Sequence, residues 1–262
     1  MNILQSIFLG IVQGLTEFLP VSSSGHLVFF QSLLGFKEPP IFFDVMLHLG
    51  TLLAVVIYFW ADIGRIIKGI VSTLRRKEEN REGAKLFLWI IVATIPTGLM
   101  GIFFKDWLES FFSKPKLVGG MLLITGLVLW LTRWANKEGK PLGRMGRFDA
   151  ILIGIAQGFA IIPGISRSGA TISMGLFCGL DRELSGKFSF LLSIPAILGA
   201  ILLEIKKVDS GGALWTTLIG SVIAFGVGIL TLTLLIKIIK MGKIFNFSYY
   251  CCGMGILMII LL

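Results

Sequence analysis

The sequence predicts an all-α polytopic membrane protein built from two inverted-topology repeats, with six transmembrane helices and two re-entrant helix–loop–helix segments. Three observations carry that expectation. The first is composition: of 262 residues 55% are apolar and 15% charged, with a mean hydropathy of +0.89. A soluble domain carries about a quarter charged residues, and one water-facing fold of this size cannot bury so much hydrocarbon. The second is a set of apolar stretches long enough to cross a bilayer, and the third a repeat that aligns two broken ones. A cytosolic enzyme, a secreted disulfide scaffold and a disordered chain are excluded. The three cysteines, Cys178 and the adjacent Cys251 and Cys252, give neither a disulfide framework nor a CxxC metal site.

Taken in order, residues 2–35 are apolar but interrupted at FLPVSSSGHL. A backbone break at membrane depth is tolerated only where it is buried in protein or lines a wet cavity. The segment is therefore expected to leave by the side it entered; the plainer alternative is a single span with a proline kink. It does not read as a signal peptide, since it lacks a basic start and Glu17 and Pro20 interrupt it. Spans are expected near 41–60, 86–104 and 116–133. A second broken segment, 148–180, carries IIPGISRSGA, and spans follow near 187–205, 213–236 and 246–262.

With that assignment the connections 61–85, 134–147, 181–187 and 237–245, together with Arg133, gather seventeen Lys and Arg on one face. The other face holds six, Lys37, Lys105, Lys114, Lys116, Lys206 and Lys207. Such an asymmetry marks the cytoplasmic side and places both termini outside it. The net charge of +9 thus reads as topology, with membrane lipids as neighbours and no nucleic acid as partner.

Sliding the chain on itself by 144 positions aligns 10–27 with 154–171 without a gap, with seven of eighteen residues identical. Gly10, Ile11, Gln13, Gly14, Ser22, Ser24 and Gly25 match Gly154, Ile155, Gln157, Gly158, Ser166, Ser168 and Gly169. The chain reads as one integral membrane domain, 1–262, with repeat one at 1–134 and repeat two at 148–262. One re-entrant and three crossings per half invert the second half, as in secondary transporters whose sites lie where broken helices meet.

Ionisable residues inside a membrane are costly and by default mark function. Glu17 lies within an apolar helix, Arg167 is the one basic residue of the interior, and His26 follows the first break. A bland reading makes Glu17 and Arg167 an ion pair between repeats, but it leaves the surrounding hydroxyls unexplained. His48, inside the first span, reads as a satisfied core histidine. The breaks hold Ser22, Ser23 and Ser24 in one half and Ser166, Ser168 and Thr171 in the other. Helix starts rich in Gly and Ser aim backbone amides and a positive dipole end at an anion, and a guanidinium can grip two phosphate oxygens. Gln13 and Glu17, spaced i, i+4, share a helix face. Ser23 lies three residues before His26, within reach of hydroxyl activation by imidazole. Together these favour phosphoester chemistry over pure transport, with a transporter or flippase of an anionic lipid or solute as the alternative.

At these residues the chain resembles a known family. QGLTEFLPVSSSGH and PGISRSGAT are similar to the two signature segments of the bacterial undecaprenyl-pyrophosphate phosphatases, also called the bacitracin-resistance proteins. The resemblance extends through FDV…LHLGTLLAVVIYF and GKFSFLLSIPAI to essentially the whole chain. It implies a plasma-membrane enzyme, with its site on the periplasmic side, that hydrolyses a polyprenyl diphosphate to the monophosphate in cell-wall carrier recycling. It maps catalytic positions onto Glu17, Ser23, His26 and Arg167, with Gln13, Ser22, Ser24, Ser166, Ser168 and Thr171 around the phosphates. A divalent cation, Mg²⁺ or Ca²⁺, is implied by the family and by no ligand spacing here, with Glu17 the possible protein contact. Gln13 stands at the first position of the family's [E/Q]xxxE motif, which weakens any scheme needing two carboxylates on one metal. The SGH triplet also occurs in PAP2 lipid phosphatases, whose Lys-rich first motif and third-motif His are absent. Ser23 is expected as nucleophile because it aligns with Arg167 across the repeat; a water activated directly by Glu17 is the alternative.

Overall fold

The computed structural model describes residues 1–36, 41–75, 81–104, 107, 110–111, 114–135, 138–204 and 214–262. Among these are eleven α-helices and no strand, only an isolated bridge between Lys140 and Leu180. The first half holds α1 (Ile3–Thr16), α2 (Ser23–Leu33), α3 (Ile41–Tyr58), α4 (Trp60–Leu74), α5 (Arg81–Phe103) and α6 (Pro115–Leu131). The second holds α7 (Arg147–Phe159), α8 (Arg167–Phe177), α9 (Arg182–Glu204), α10 (Leu214–Lys240) and α11 (Phe247–Leu261). Six helices are long and apolar enough to cross a membrane, in α3, α5, α6, α9, α10 and α11. These are the six stretches expected from hydropathy, with α5, α9 and α10 running some residues further into the basic connections. Of the charges used for orientation, Arg76, Lys77, Lys137, Lys37, Lys105, Lys206 and Lys207 lie outside the described residues.

Both broken segments are helix pairs. Pro20, which has no amide hydrogen to offer a helix, lies between α1 and α2, and Pro163-Gly164 lies between α7 and α8. Gly164 has φ +96, open to glycine, and a Cβ there would run into the Val118 carbonyl of α6. The pairs lean on exchanged partners: α1 lies along α10 of the second half and α7 along α5 of the first. Glycines permit that closeness. A Cβ at Gly10 would sit 2.5 Å from the Gly220 carbonyl oxygen and one at Gly14 2.8 Å from that of Ala224. Gly154 abuts the Ala93 carbonyl in the same way. Small residues four apart let helices pack backbone to backbone where lipid supplies no hydrophobic drive between them. Gly119 of α6 and Gly255 of α11 meet likewise.

One element differs from expectation. Residues 61–85 read as a basic loop, yet 60–74 form α4. Ile63, Ile66 and Ile70 recur at helical spacing and pack into the core, while Arg65 and Lys68 face out, so the charges concealed an amphipathic helix. Asp62 of α4 pairs with Lys187 of α9 at 3.0 Å, fastening it across the halves.

Candidate active site

Glu17, immediately after α1, is the one acidic residue buried among the described residues. Both its oxygens are occupied. Oε1 accepts from Arg167 Nη2 at 2.8 Å, and Oε2 accepts from Ser23 Oγ at 2.6 Å and from Gln13 Nε2 at 3.2 Å. An isolated carboxylate would be prohibitively costly here, and the guanidinium supplies its counter-charge. The short hydroxyl–carboxylate bond has the length of a charge-assisted one.

The two breaks face each other around this cluster. A Cβ on Gly25 would lie 3.4 Å from Gly164 Cα, and one on Gly169 the same distance from Pro20 Cβ. In the repeat alignment Gly25 corresponds to Gly169 and Pro20 to Gly164, so the two contacts are counterparts. Ser22 Oγ caps α2 by accepting from the Gly25 amide at 3.3 Å, and Ser166 Oγ caps α8 from the Gly169 amide at 3.1 Å. Ser23 and Arg167 are therefore the first residues of their helices. The amides of Ser23, Ser24, Arg167 and Ser168 have no carbonyl one turn earlier to bond. Two of the six buried side-chain atoms without partners among the described residues belong to this cluster: Arg167 Nη1 and Gln13 Oε1. Ser22 has φ +68 and is the single non-glycine residue with positive φ among those described. Such backbone strain concentrates where a site must be held in a set shape.

The expected site residues divide. Glu17, Gln13, Ser23 and Arg167 share one hydrogen-bonded cluster. Ser24, half-buried, is 3.3 Å from Ser22 Oγ. Four expected phosphate ligands also bond within the protein. Ser166 caps α8, Ser168 Oγ donates to the Leu19 carbonyl at 3.3 Å, and Thr171 bonds Arg167 O at 2.8 Å and Ser189 Oγ at 2.5 Å. Ser22 is likewise a cap.

His26 needs a correction. It does not touch Ser23: Nδ1 lies 2.8 Å from the Ser22 carbonyl oxygen and Nε2 2.7 Å from Tyr250 Oη of α11. A carbonyl only accepts, so Nδ1 carries the hydrogen and Nε2 accepts from the tyrosine. The ring, 1% exposed, braces the strained Ser22 peptide, and Glu17 holds the Ser23 hydroxyl in its place. His48 is the opposite case. Expected as a core histidine, it has a 30% exposed side chain with Nε2 3.7 Å from Glu17 Oε2. Neither Tyr250 nor His48 had a sequence signal tying it to the breaks.

The implied divalent cation meets no ready ligand set among the described residues. Arg167, Ser23 and Gln13 take up both Glu17 oxygens, and among the described residues no three His, Cys, Asp or Glu cluster.

A hydroxyl bonded to a carboxylate, beside a guanidinium and two helix N-termini within apolar helices, defines a polytopic membrane protein built to handle an anionic group. The chain belongs to the family described as Bacitracin resistance protein BacA, whose profile matches residues 6–257. A protein of Desulfosudis oleivorans named undecaprenyl-diphosphatase is 49% identical, over 97% of each chain. Proteins of that name from Halothermothrix orenii and Methanosphaera stadtmanae are 46% and 44% identical, each over 100% of this chain and 98% of theirs.

Proposed function

We propose that this chain hydrolyses undecaprenyl diphosphate to undecaprenyl phosphate and inorganic phosphate, returning the lipid carrier of cell-wall synthesis to use. The observation that carries the reading is the 2.6 Å bond from Ser23 Oγ to Glu17 Oε2, a nucleophile already on its base. The free Nη1 of Arg167 and the first-turn amides of α2 and α8 are placed to receive the diphosphate oxygens. Ser23 Oγ attacks the terminal phosphorus as its proton passes to Glu17 Oε2. The phosphorus–oxygen bond to the bridging oxygen breaks, and undecaprenyl phosphate leaves. Water then hydrolyses the phosphoserine and releases phosphate. A Mg²⁺ or Ca²⁺, as expected from the family, would help neutralise the charge of the diphosphate.

In the same reading the halves are inverted repeats and the breaks open to the extracytoplasmic side of a bacterial plasma membrane. The exchange of helix partners, α1 on α10 and α7 on α5, supports the inversion. The asymmetry of Lys and Arg supports the orientation. Purified protein given undecaprenyl or C15 diphosphate in detergent should release phosphate in step with monophosphate lipid. No release, with lipid crossing the bilayer in vesicles, would make the chain a transporter.

A further inference from the structure

Glu17 has a neighbour that the reaction above leaves unused. His48, on α3, holds Nδ1 2.8 Å from the Asp44 carbonyl oxygen. That carbonyl can only accept, so Nδ1 keeps its hydrogen in both charge states of the ring, and Nε2 alone gains or loses a proton. Nε2 faces Glu17 Oε2, the oxygen that receives the Ser23 proton, while Arg167 sits on the other oxygen. The separation of 3.7 Å is about half an ångström beyond a hydrogen bond, so a small shift of either side chain brings the two into contact. The His48 side chain is 30% exposed and that of Glu17 6%, so the imidazole is the more accessible of the two. Gln13, the other side chain on Oε2, is an amide and has no proton to exchange.

We propose that His48 is the proton-exchange partner of Glu17, supplying the second acid–base group that Gln13 cannot. The inference rests on the hydrolysis proposed above. Once Glu17 has taken the proton of the attacking hydroxyl, its Oε2–H bond breaks and the proton passes to His48 Nε2. The imidazolium releases it to water at its exposed edge, and the carboxylate is restored for the next turnover. His48 touches no reacting atom of the substrate and acts through Glu17, which makes it a positioning residue.

The test compares purified wild type, His48→Gln and His48→Ala on the same lipid diphosphate. kcat should fall about 100-fold in both variants, the low end of the range for a lost acid–base group, with KM nearly unchanged. Added imidazole should restore His48→Ala, and 4-bromoimidazole, a weaker base, should restore less. His48→Gln keeps size and a donor, so it carries the comparison if the alanine variant folds poorly. Wild-type kcat in His48→Gln, or no rescue of folded His48→Ala, overturns the proposal. An inactive wild type would instead sink the hydrolysis on which it rests.

Discussion

Replacing Glu17 by Gln is the most informative change to the cluster, because it preserves shape and removes the charge. The carboxylate accepts from Arg167 on one oxygen and from Ser23 on the other, at 2.8 and 2.6 Å. An amide has one oxygen and one NH₂, so one of these donors must then meet a donor. If Ser23 faces the NH₂ it loses its base outright; if Arg167 does, a guanidinium with a side chain 15% exposed loses its counter-charge. Loss of a positioned base costs about 10²- to 10⁴-fold in rate, about 3–5 kcal/mol of barrier at 1.36 kcal/mol per tenfold. Breaking a buried ion pair costs up to about 3–5 kcal/mol of stability, less here because the amide still accepts one bond. The assay is phosphate release per mole of monodisperse protein, with thermal unfolding measured on the same preparation. Glu17→Gln should fold at lowered stability and lose at least about 10²-fold in kcat. Folded Glu17→Gln within threefold of the wild-type rate would show that Ser23 is not activated by Glu17.

Two further outcomes follow from the same geometry. Arg167→Lys keeps the charge but gives up the planar fork that spans Glu17 Oε1 and the free Nη1 direction, so kcat/KM should fall at least about tenfold; a fully active lysine variant would reduce the residue to bulk positive potential. Tags at both termini should react with impermeant reagents from outside intact cells while a tag within 142–144 stays protected, and outside labelling of 142–144 would contradict the inverted orientation.

Much of the fold could be read from the sequence because lipid imposes a simple rule. Six apolar stretches match six long helices, and serine-rich breaks after interrupted apolar runs mark where α1–α2 and α7–α8 part. α4 escaped because its basic face hid isoleucines at helical spacing. Within the site, intramembrane charge singled out Glu17 and Arg167, which lie 2.8 Å apart. The repeat alignment set Ser23 opposite Arg167, and both bond the same carboxylate. Hydroxyls were harder to sort. A serine at a helix start reads the same whether it binds a ligand or caps its own helix, and Ser22 and Ser166 are caps. Spacing put His26 one turn from Ser23, but spacing does not say which way a ring turns, and this one folds onto the Ser22 carbonyl. His48 lies on α3 and Glu17 just after α1, and no local pattern joins them.

The central claim is that Ser23, held on Glu17, attacks the terminal phosphorus. Its most direct test is a single turnover with diphosphate labelled at that phosphorus, quenched in acid within the first turnover and digested to peptides. The mechanism places transient label on the peptide containing Ser23, none in Ser23→Ala, and a Ser23→Ala rate below about a hundredth of wild type, as expected for a lost nucleophile. Label that never appears on protein, with Ser23→Ala keeping more than about a tenth of the rate, would contradict it and assign the attack to a water activated by Glu17.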